Sequence, residues 1–283
     1  MVRPLTTLAG LFLVAVAGAQ TPALEPVLQA ELAFARQASQ AGIRAAFLAW
    51  LAEDARVFTP RMTTVQAAYG TAPGDPGHLA WYPEAMGLAA SGDLAWSFGP
   101  WTYAAKPGAP ALVHGHFLSL WERQRTGGWK VVADIGVSHA APAEPIEPFA
   151  APTGTALRPT VAVVDSLGAV RTLRQVETAL AMAWAERGGL GLVPWLARDA
   201  RLLRPGSVPA RGEVAIRVLL AKEPAGSRWE PAQVQVAPSG DLAWTCGEAP
   251  ASVPGGAASF LRIWTLEAGA WKVLFDVRLP HPA

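Results

Sequence analysis

The chain contains one short motif twice, as SGDLAWSFG at residues 91–99 and as SGDLAWTCG at residues 239–247. Each copy begins with a Gly-Asp turn signal and continues into an apolar run that is typical of a β-strand. An internal duplication changes the prediction for the whole fold, so the sequence on both sides of the motif decides what kind of protein this is.

The sequence on both sides of this motif repeats in the same order. Three further pairs of segments match: WLAEDAR (50–56) with WLARDAR (195–201), FLSLW (117–121) with FLRIW (260–264), and WKVVAD (129–134) with WKVLFD (271–276). The separation between matched residues drifts by only a few positions. We therefore predict two tandem copies of a domain of about 110 residues. The copies occupy residues 25–139 and 170–281, and a Pro/Ala-rich linker at residues 140–169 joins them.

Each copy has helical patterns first and strand patterns afterwards. Apolar residues at helical spacing predict first helices over residues 26–40 and 171–187. A glycine-bearing break follows, and short second helices are predicted over residues 45–51 and 193–196. Trp-, Val- and Phe-rich runs separated by Gly-containing turns then predict hairpins. The predicted fold class is α+β, as two tandem cone-shaped domains, each with about three N-terminal helices on a strongly curved, mainly antiparallel sheet.

The first residues are typical of a secretory signal peptide. Arg3 gives a positive start, residues 8–16 are apolar apart from one glycine, and residues 17–19 are small. The apolar core is shorter than the about 20 residues that a membrane-spanning helix needs. We therefore predict that residues 1–19 are cleaved, that the protein is exported to the periplasm or outside the cell, and that no stable membrane span remains.

The overall composition narrows the classes of partner. The chain has 23 basic and 22 acidic residues and no basic run, which argues against nucleic acid as a partner. Its residues are 51% hydrophobic and include 12 tryptophans, which is enough for packed cores and apolar pockets. Cys246 is the only cysteine, so the fold has no internal disulfide. Its apolar strand context predicts a buried, inert thiol.

The first copy resembles the nuclear-transport-factor-2-like superfamily, and within it the SnoaL-like branch of uncharacterised bacterial proteins. The resemblance covers most of residues 25–139, and the second copy is a weaker match. The residues that carry it are a helix with Glu31 and Phe34, then AFLAWLAEDARVFTP (46–60), LAWYP (79–83), SGDLAWSFGPW (91–101), GHFLSLWERQ (115–124) and GGWKVVADIG (127–136). The resemblance implies three helices folded against a highly bent sheet, with a pocket that opens at one end. Members include isomerases, dehydratases, polyketide cyclases and proteins without catalysis, so this fold does not imply one function.

Asp134 and Asp276 occupy matching positions in the last strand of each copy. An apolar site raises the pKa of a carboxyl group, which can then transfer protons near neutral pH. Strict strand alternation places Asp134 on one face with Lys130 and Val132. Asp134 is either a base in the pocket or a carboxylate that supports the fold through backbone donors or an arginine. Its presence in both copies favours the second interpretation.

Two histidines belong to the first copy only. His114 and His116 are two residues apart in a predicted strand and therefore share a face. Such a pair could bind a metal with Asp134 as third ligand, but the spacing secures no third ligand, so we predict no metal and no cofactor. The second copy has Ala257 and Ser259 at these positions. Any chemistry of the histidines therefore belongs to the first domain.

Two aromatic residues are also specific to the first copy. Tyr82 and Trp101 correspond to Glu230 and Ala249 in the second copy. Aromatic side chains near a pocket mouth can stack on a flat apolar ligand. The predicted ligand-binding residues are His114, His116, Trp101, Tyr82 and Asp134, and the candidates for acid–base catalysis among them are His116, Asp134 and Tyr82.

Three functions remain open from the sequence. The first is binding of a small apolar or amphipathic molecule in the first domain, with the second domain as scaffold. The second is an isomerase-, dehydratase- or hydrolase-like enzyme that uses acid–base residues of the first domain. The third is a protein-interaction module. In each case we expect the two domains to pack on each other as an intramolecular pseudo-dimer, because apolar sheet faces need cover.

Overall fold

The computed structural model describes residues 24–71, 74–141, 166–226, 228–250 and 256–282. The predicted signal peptide and most of the predicted linker lie outside these residues. Within the described residues, no helix combines the length and the apolar character that crossing a membrane requires.

The first domain begins with two helices, α1 (Glu25–Ala41) and α2 (Ile43–Trp50), and has a short π-helix, Gln66–Gly70. Its strands are β1 (Leu51–Phe58), β2 (Met62–Thr64), β3 (His78–Trp81), β4 (Ala85–Leu88), β5 (Leu94–Ala104), β6 (Ala111–Arg123) and β7 (Trp129–His139). They form one sheet in the order β2-β1-β7-β6-β5-β3, and β4 also pairs with β5. Only the β1–β7 pair is parallel.

The second domain repeats this arrangement. Its helices are α3 (Ser166–Arg187), a 3₁₀ helix (Gly188–Trp195) and α4 (Glu213–Leu220). Its strands are β8 (Leu196–Leu203), β9 (Ala210–Arg211), β10 (Gln233–Val236), β11 (Leu242–Ala249), β12 (Ala258–Glu267) and β13 (Ala270–Pro280). The sheet order is β10-β11-β12-β13-β8-β9. In this order β10 pairs with β11 as β4 pairs with β5, and β11, β12, β13, β8 and β9 follow the order of β5, β6, β7, β1 and β2. The predicted α+β fold class, with helices on a mainly antiparallel sheet in two copies, is confirmed.

Three details of the helices differ from the prediction. α3 begins at Ser166, inside the segment that was predicted to be linker. The predicted break at Gly188 is the start of a 3₁₀ helix, because glycines there let it approach α3 closely. A Cβ atom on Gly191 would lie 2.4 Å from the Ala183 carbonyl oxygen. The third helical segment of each copy, the π-helix or α4, follows the first strand and is not N-terminal.

Buried residues form three apolar cores. One core lies between helices and sheet in each domain, and the third contains residues of both sheets. In this third core the ring of Phe275 lies 4.9 Å from the Trp96 ring and 5.3 Å from the Phe98 ring, centroid to centroid. The two sheets therefore pack face to face, and the helices cover their outer faces.

The repeated SGDLAW motif lies where the two domains meet. In each copy the glycine has positive φ, 74° at Gly92 and 70° at Gly240, and closes the turn before β5 or β11. Glycine adopts this left-handed conformation without the steric cost of a Cβ atom. The side-chain oxygens of Ser91 and Ser239 are 3.0 Å apart. The two copies of the motif thus contact each other between the domains.

A β-bulge corrects the predicted orientation of Asp134. The β6–β7 ladder shifts register at Val132, which has no partner on β6. A bulge residue adds one position to its strand, so the residues beyond it exchange faces. Asp134 therefore shares a face with Val131, and the prediction that it shares a face with Lys130 and Val132 is wrong. The second domain has the same bulge at Leu274.

Candidate functional site

The first domain contains a cavity between its helices and the concave face of its sheet. Its volume is about 210 Å³. Its wall is mainly aromatic: Phe34, Phe47, Tyr69, Trp81, Trp101 and Phe117. The cavity is partly open to solvent and has a few polar groups, which is the usual composition of a small-molecule site.

Asp134 is the acidic group of this cavity. The Ser119 hydroxyl donates a 2.5 Å hydrogen bond to Asp134 Oδ1. Burial raises the pKa of Asp134 to about 7; the Ser119 hydrogen bond opposes this shift, and the nearby Glu31 carboxylate adds to it. A carboxyl group with this pKa carries its proton in about half of the molecules at neutral pH. Asp134 can therefore either donate or accept a proton.

Glu31 lies in α1 directly behind the cavity and is fully buried. Its carboxylate accepts hydrogen bonds from Trp81 Nε1 at 2.6 Å, from Ser97 Oγ at 2.5 Å and from Trp121 Nε1 at 3.0 Å. Burial raises the pKa of Glu31, and these three donors oppose the shift. Glu31 thus holds α1 against the sheet and orients Trp81, which lines the cavity.

Trp101 contributes an unused hydrogen-bond donor. Its indole lies against Gly115 and Gly136, where a Cβ atom would approach the ring to 2.3 Å and 3.3 Å. Among the described residues, the buried Trp101 Nε1 atom has no hydrogen-bond partner. A buried N–H group without a partner carries a desolvation cost.

The second domain has arginines where the first cavity has small neutral residues. Arg262 lies opposite Asp276 in the β12–β13 ladder, at the position that Ser119 has opposite Asp134. Its guanidinium lies 2.8 Å from Glu177 and 2.6 Å from Asp276, so it fills the centre of the cone. The corresponding pairs of residues in the two copies are Thr59 and Arg204, Ser119 and Arg262, and Gly136 and Arg278.

The two matching aspartates consequently have opposite acid–base properties. Burial alone would raise the pKa of Asp276, but the charges of Arg204 and Arg262 bring it below its ordinary value. Arg204 Nη2 lies 2.6 Å from Asp276 Oδ2. Asp276 is thus a permanently ionised partner of arginines, whereas Asp134 titrates near neutral pH.

The structure divides the predicted ligand-binding residues between two places. Asp134 and Trp101 line the cavity of the first domain. His114 and His116 share a face, as predicted from their spacing, but it is the opposite face of the sheet, where His116 lines a pocket with residues of the second domain. Tyr82 is half-buried after β3, and it is not among the residues that line the cavity.

Alternation along β6 explains this division. Phe117 and Ser119 point into the cavity. Leu118 and Leu120 point into the core between the sheets. The histidines have the same parity as these leucines, so they cannot reach Asp134. Among the described residues, no group of three His, Cys, Asp or Glu side chains could hold a metal ion.

Ser119 and Tyr69 line the cavity but were not predicted as site residues from the sequence. The matched segments FLSLW and FLRIW already contain the informative difference, a serine replaced by Arg262. A change from a small residue to arginine inside an apolar repeat indicates that one pocket has been filled. Tyr69 gives no such signal, because it lies in the π-helix outside the matched segments.

Cys246 is buried and makes no disulfide, as predicted. Burial raises the pKa of its thiol to about 12. The Cys246 Sγ atom lies 3.5 Å from the Met62 sulfur, which belongs to the first domain. This thiol is therefore unreactive at neutral pH and contributes to the packing between the domains.

No family model matches the chain, and no curated protein matches it. Solved structures that are similar to parts of it include an NTF2-like protein of unknown function from Pseudomonas putida KT2440, with 19% identity and a TM-score of 0.34, covering 41% of this chain and 89% of that one. An NTF2-like protein of unknown function from Shewanella baltica OS155 has 12% identity and a TM-score of 0.34, covering 44% and 100%. A ketosteroid isomerase-like protein from Erwinia carotovora atroseptica SCRI1043 has 14% identity and a TM-score of 0.34, covering 42% and 98%.

Proposed function

We propose that the first domain binds a small apolar or amphipathic molecule in its cavity, and that the second domain is mainly scaffold. The observation that carries this proposal is the difference between the two cones. Arg262 pairs with Glu177 and Asp276 inside the second cone, whereas Ser119 leaves the equivalent space of the first cone open.

The cavity wall defines the class of ligand. Aromatic rings on several sides favour a flat apolar body. The unpartnered Trp101 N–H group and the protonated form of Asp134 both offer hydrogen-bond donors. We therefore propose a flat, mostly apolar molecule with at least one acceptor oxygen, such as a carbonyl or hydroxyl group.

The remaining parts of the proposal concern the whole chain. We propose that the domains act as an intramolecular pseudo-dimer, which is supported by the core that both sheets share. Export through residues 1–19 and membership of the SnoaL-like branch stay predictions from the sequence.

A second candidate function is acid–base catalysis at the same place, of an isomerase- or dehydratase-like kind. The observation that favours it is the pKa of Asp134, about 7, which suits a group that removes and returns a proton at neutral pH. A carbonyl oxygen near Trp101 Nε1 would receive a hydrogen bond as negative charge develops on it. In this version Asp134 is the catalytic base, and neither His116 nor Tyr82 takes part.

A Ser119→Arg variant tests the binding proposal by copying the second cone into the first. The introduced guanidinium has Asp134 and Glu31 as partners, as Arg262 has Asp276 and Glu177. We expect native mass spectrometry to find one small molecule per wild-type chain and none on the variant. Calorimetric titration with 2-naphthol, a flat probe with one hydroxyl group, should give binding to the wild type only.

Ser119→Ala is the matched control, because it removes the hydrogen bond to Asp134 but leaves the cavity open. It should retain binding of 2-naphthol. Equal binding by wild type and Ser119→Arg would contradict the proposal, since the probe would then lie elsewhere. A folded wild-type protein that carries no molecule and binds no 2-naphthol would also contradict it.

A further inference from the structure

His116 lines a second pocket, on the reverse face of the first sheet and between the domains. Its volume is about 200 Å³. The first domain contributes Glu84, Phe98 and His116, and the second domain contributes Arg201 and Arg211. Four charged or titratable groups therefore converge on a small space that is separate from the Asp134 cavity.

A chain of hydrogen bonds determines which nitrogen of His116 faces this pocket. His139 Nδ1 lies 2.7 Å from the Ala140 carbonyl oxygen, which can only accept, so this nitrogen carries the proton. With the other nitrogen of His139, Nε2, as an acceptor, His116 Nδ1 donates to it at 2.8 Å. The remaining His116 nitrogen, Nε2, is consequently an unprotonated acceptor.

This nitrogen faces a second acceptor. His116 Nε2 lies 4.0 Å from a carboxylate oxygen of Glu84. Burial lowers the pKa of His116 to about 4, and the neighbouring His139 and Arg201 add to this shift, so the ring is neutral at neutral pH. His116 Nε2 and the Glu84 carboxylate are two acceptors with no proton between them, so a hydrogen-bond donor can bind to both. The negative charge of Glu84 favours a donor that is a cation.

In the part of the chain that the structure describes, the other side of the pocket has two positive charges without a negative partner. Arg201 and Arg211 are direct partners in the β8–β9 ladder, and like charges in such a pair destabilise each other. Among the described residues, neither guanidinium lies within ion-pair distance of a carboxylate; Arg201 instead lies 5.1 Å from the Phe98 ring centroid. Burial lowers the pKa of Arg201, and the charge of Glu84 offsets this only in part.

We propose that this pocket binds a free α-amino acid in its zwitterionic form. The ammonium group donates hydrogen bonds to Glu84 and to His116 Nε2, and the carboxylate is held between Arg201 and Arg211. One ligand thereby supplies both missing partners, a cationic donor on one side and an anion on the other. Arginine suits this role because its planar guanidinium can bind a carboxylate through two parallel hydrogen bonds. Val208 and Pro209 give an apolar wall for the side chain.

The test begins with a thermal-shift screen of the purified full chain against the standard L-amino acids, one at a time. The amino acid with the largest stabilisation is then titrated by calorimetry beside its carboxamide and its α-hydroxy acid counterpart. We expect binding at one site per chain. Each analogue should bind about tenfold more weakly or worse, because each lacks one of the two charges.

Variants locate the site. Glu84→Gln, Arg201→Gln and Arg211→Gln should each weaken binding about tenfold or more. Arg211 is exposed, so its variant keeps the test valid if Arg201→Gln does not fold. Arg56→Gln is the matched control: Arg56 has the position in the first domain that Arg201 has in the second, and it contacts Gln233. Its variant should bind normally.

The inference would be overturned if none of the amino acids bound. It would also be overturned if the hydroxy acid or the carboxamide bound as tightly as the amino acid, or if Arg211→Gln and Glu84→Gln bound the amino acid normally. Ser119→Arg separates this inference from the proposed function. That variant fills the cavity of the first domain without touching the second pocket, so it should lose 2-naphthol and still bind the amino acid.

Discussion

At the scale of single residues, the partner of one aspartate decides its chemistry. Asp134 and Asp276 have the same place in equivalent ladders, but one accepts a hydrogen bond from Ser119 and the other pairs with Arg262. A neutral partner leaves the cost of burial largely uncompensated, so the pKa of Asp134 rises. A cationic partner reverses the shift.

Asp134 should make stability fall as the pH rises toward neutrality. Its pKa is about 7 in the folded chain against an ordinary value of 3.8, so between these values the folded state binds more protons than the unfolded state. The contribution is complete below about pH 4 and is lost as the pH rises through about 7. The free energy of unfolding should therefore fall less over this pH range in Asp134→Asn than in the wild type. The expected difference is roughly 1–2 kcal/mol, which allows for solvent in the cavity.

Urea unfolding of wild type and Asp134→Asn across this pH range measures the effect. The exposed Asp54 provides the control, and Asp54→Asn should keep the wild-type slope. Parallel stability profiles for wild type and Asp134→Asn would show that the pKa of Asp134 is not raised.

At the scale of secondary-structure elements, a β-bulge determines which side chains of the last strand point to the concave face of its sheet. The bulge at Val132 turns Asp134 to the concave face, and the bulge at Leu274 does the same for Asp276. The bulged strand then lies beside β6 or β12, so the residue opposite the aspartate points into the same space. The two ladders therefore share the bulge, and they differ in the residue opposite the aspartate, which is Ser119 in the first and Arg262 in the second.

Truncation at this rung should have unequal effects in the two domains. Arg262→Met leaves Glu177 and Asp276 buried without their shared cation, which typically costs about 3–5 kcal/mol. Ser119→Ala removes one hydrogen bond to a carboxyl group that is partly protonated, and should cost about 1–2 kcal/mol. Chemical denaturation of both variants measures the difference. Similar losses in the two variants would mean that the arginine network does not stabilise the second cone.

At the scale of the whole molecule, each domain provides the cover for the other's sheet. Trp96 and Phe98 of the first sheet contact Phe275 of the second in a core that contains residues of both. Small contacts at the edge complete the junction, among them the Ser91–Ser239 approach. A sheet face of this kind is stable only when another apolar surface covers it.

An isolated first domain, residues 24–141, should therefore associate with itself. Its uncovered face includes Leu118, Ile135 and Val137, which are buried in the full chain. We expect light scattering after size exclusion to find dimers or aggregates of the isolated domain and monomers of the full chain. Replacing Leu118 by Lys in the isolated domain should reduce association, because a charge on this face opposes burial. A monomeric, stable isolated domain would contradict this account of the interface.

The order and type of the elements could be predicted from the sequence, because they depend on local patterns. The repeated SGDLAW motif, the helical spacing before it and the hairpins after it are enough to derive two copies of an α+β domain. The start of α3 was predicted five residues too late, at residue 171 and not at Ser166, because the β-branched run at residues 160–164 favours a strand. The two bulges could not be predicted from the sequence either, because Val132 and Leu274 are residue types that are common in regular strands.

The candidate site was predictable only in part, for the same physical reason. Comparison of the two copies singled out Asp134, which has a matching aspartate in the second copy, and Trp101, His114 and His116, which only the first copy has. Which face of a strand points to which neighbour depends on bulges and on the packing of the second sheet, and both are tertiary features. The sequence by itself therefore determined the duplication, the fold class and the differences between the copies. Only the tertiary structure decided that Asp134 faces an open cavity, that Arg262 occupies the matching space of the other cone, and that His116 lines a pocket with Arg201 between the domains. Burial and charge pairing arise between residues that are distant in the chain.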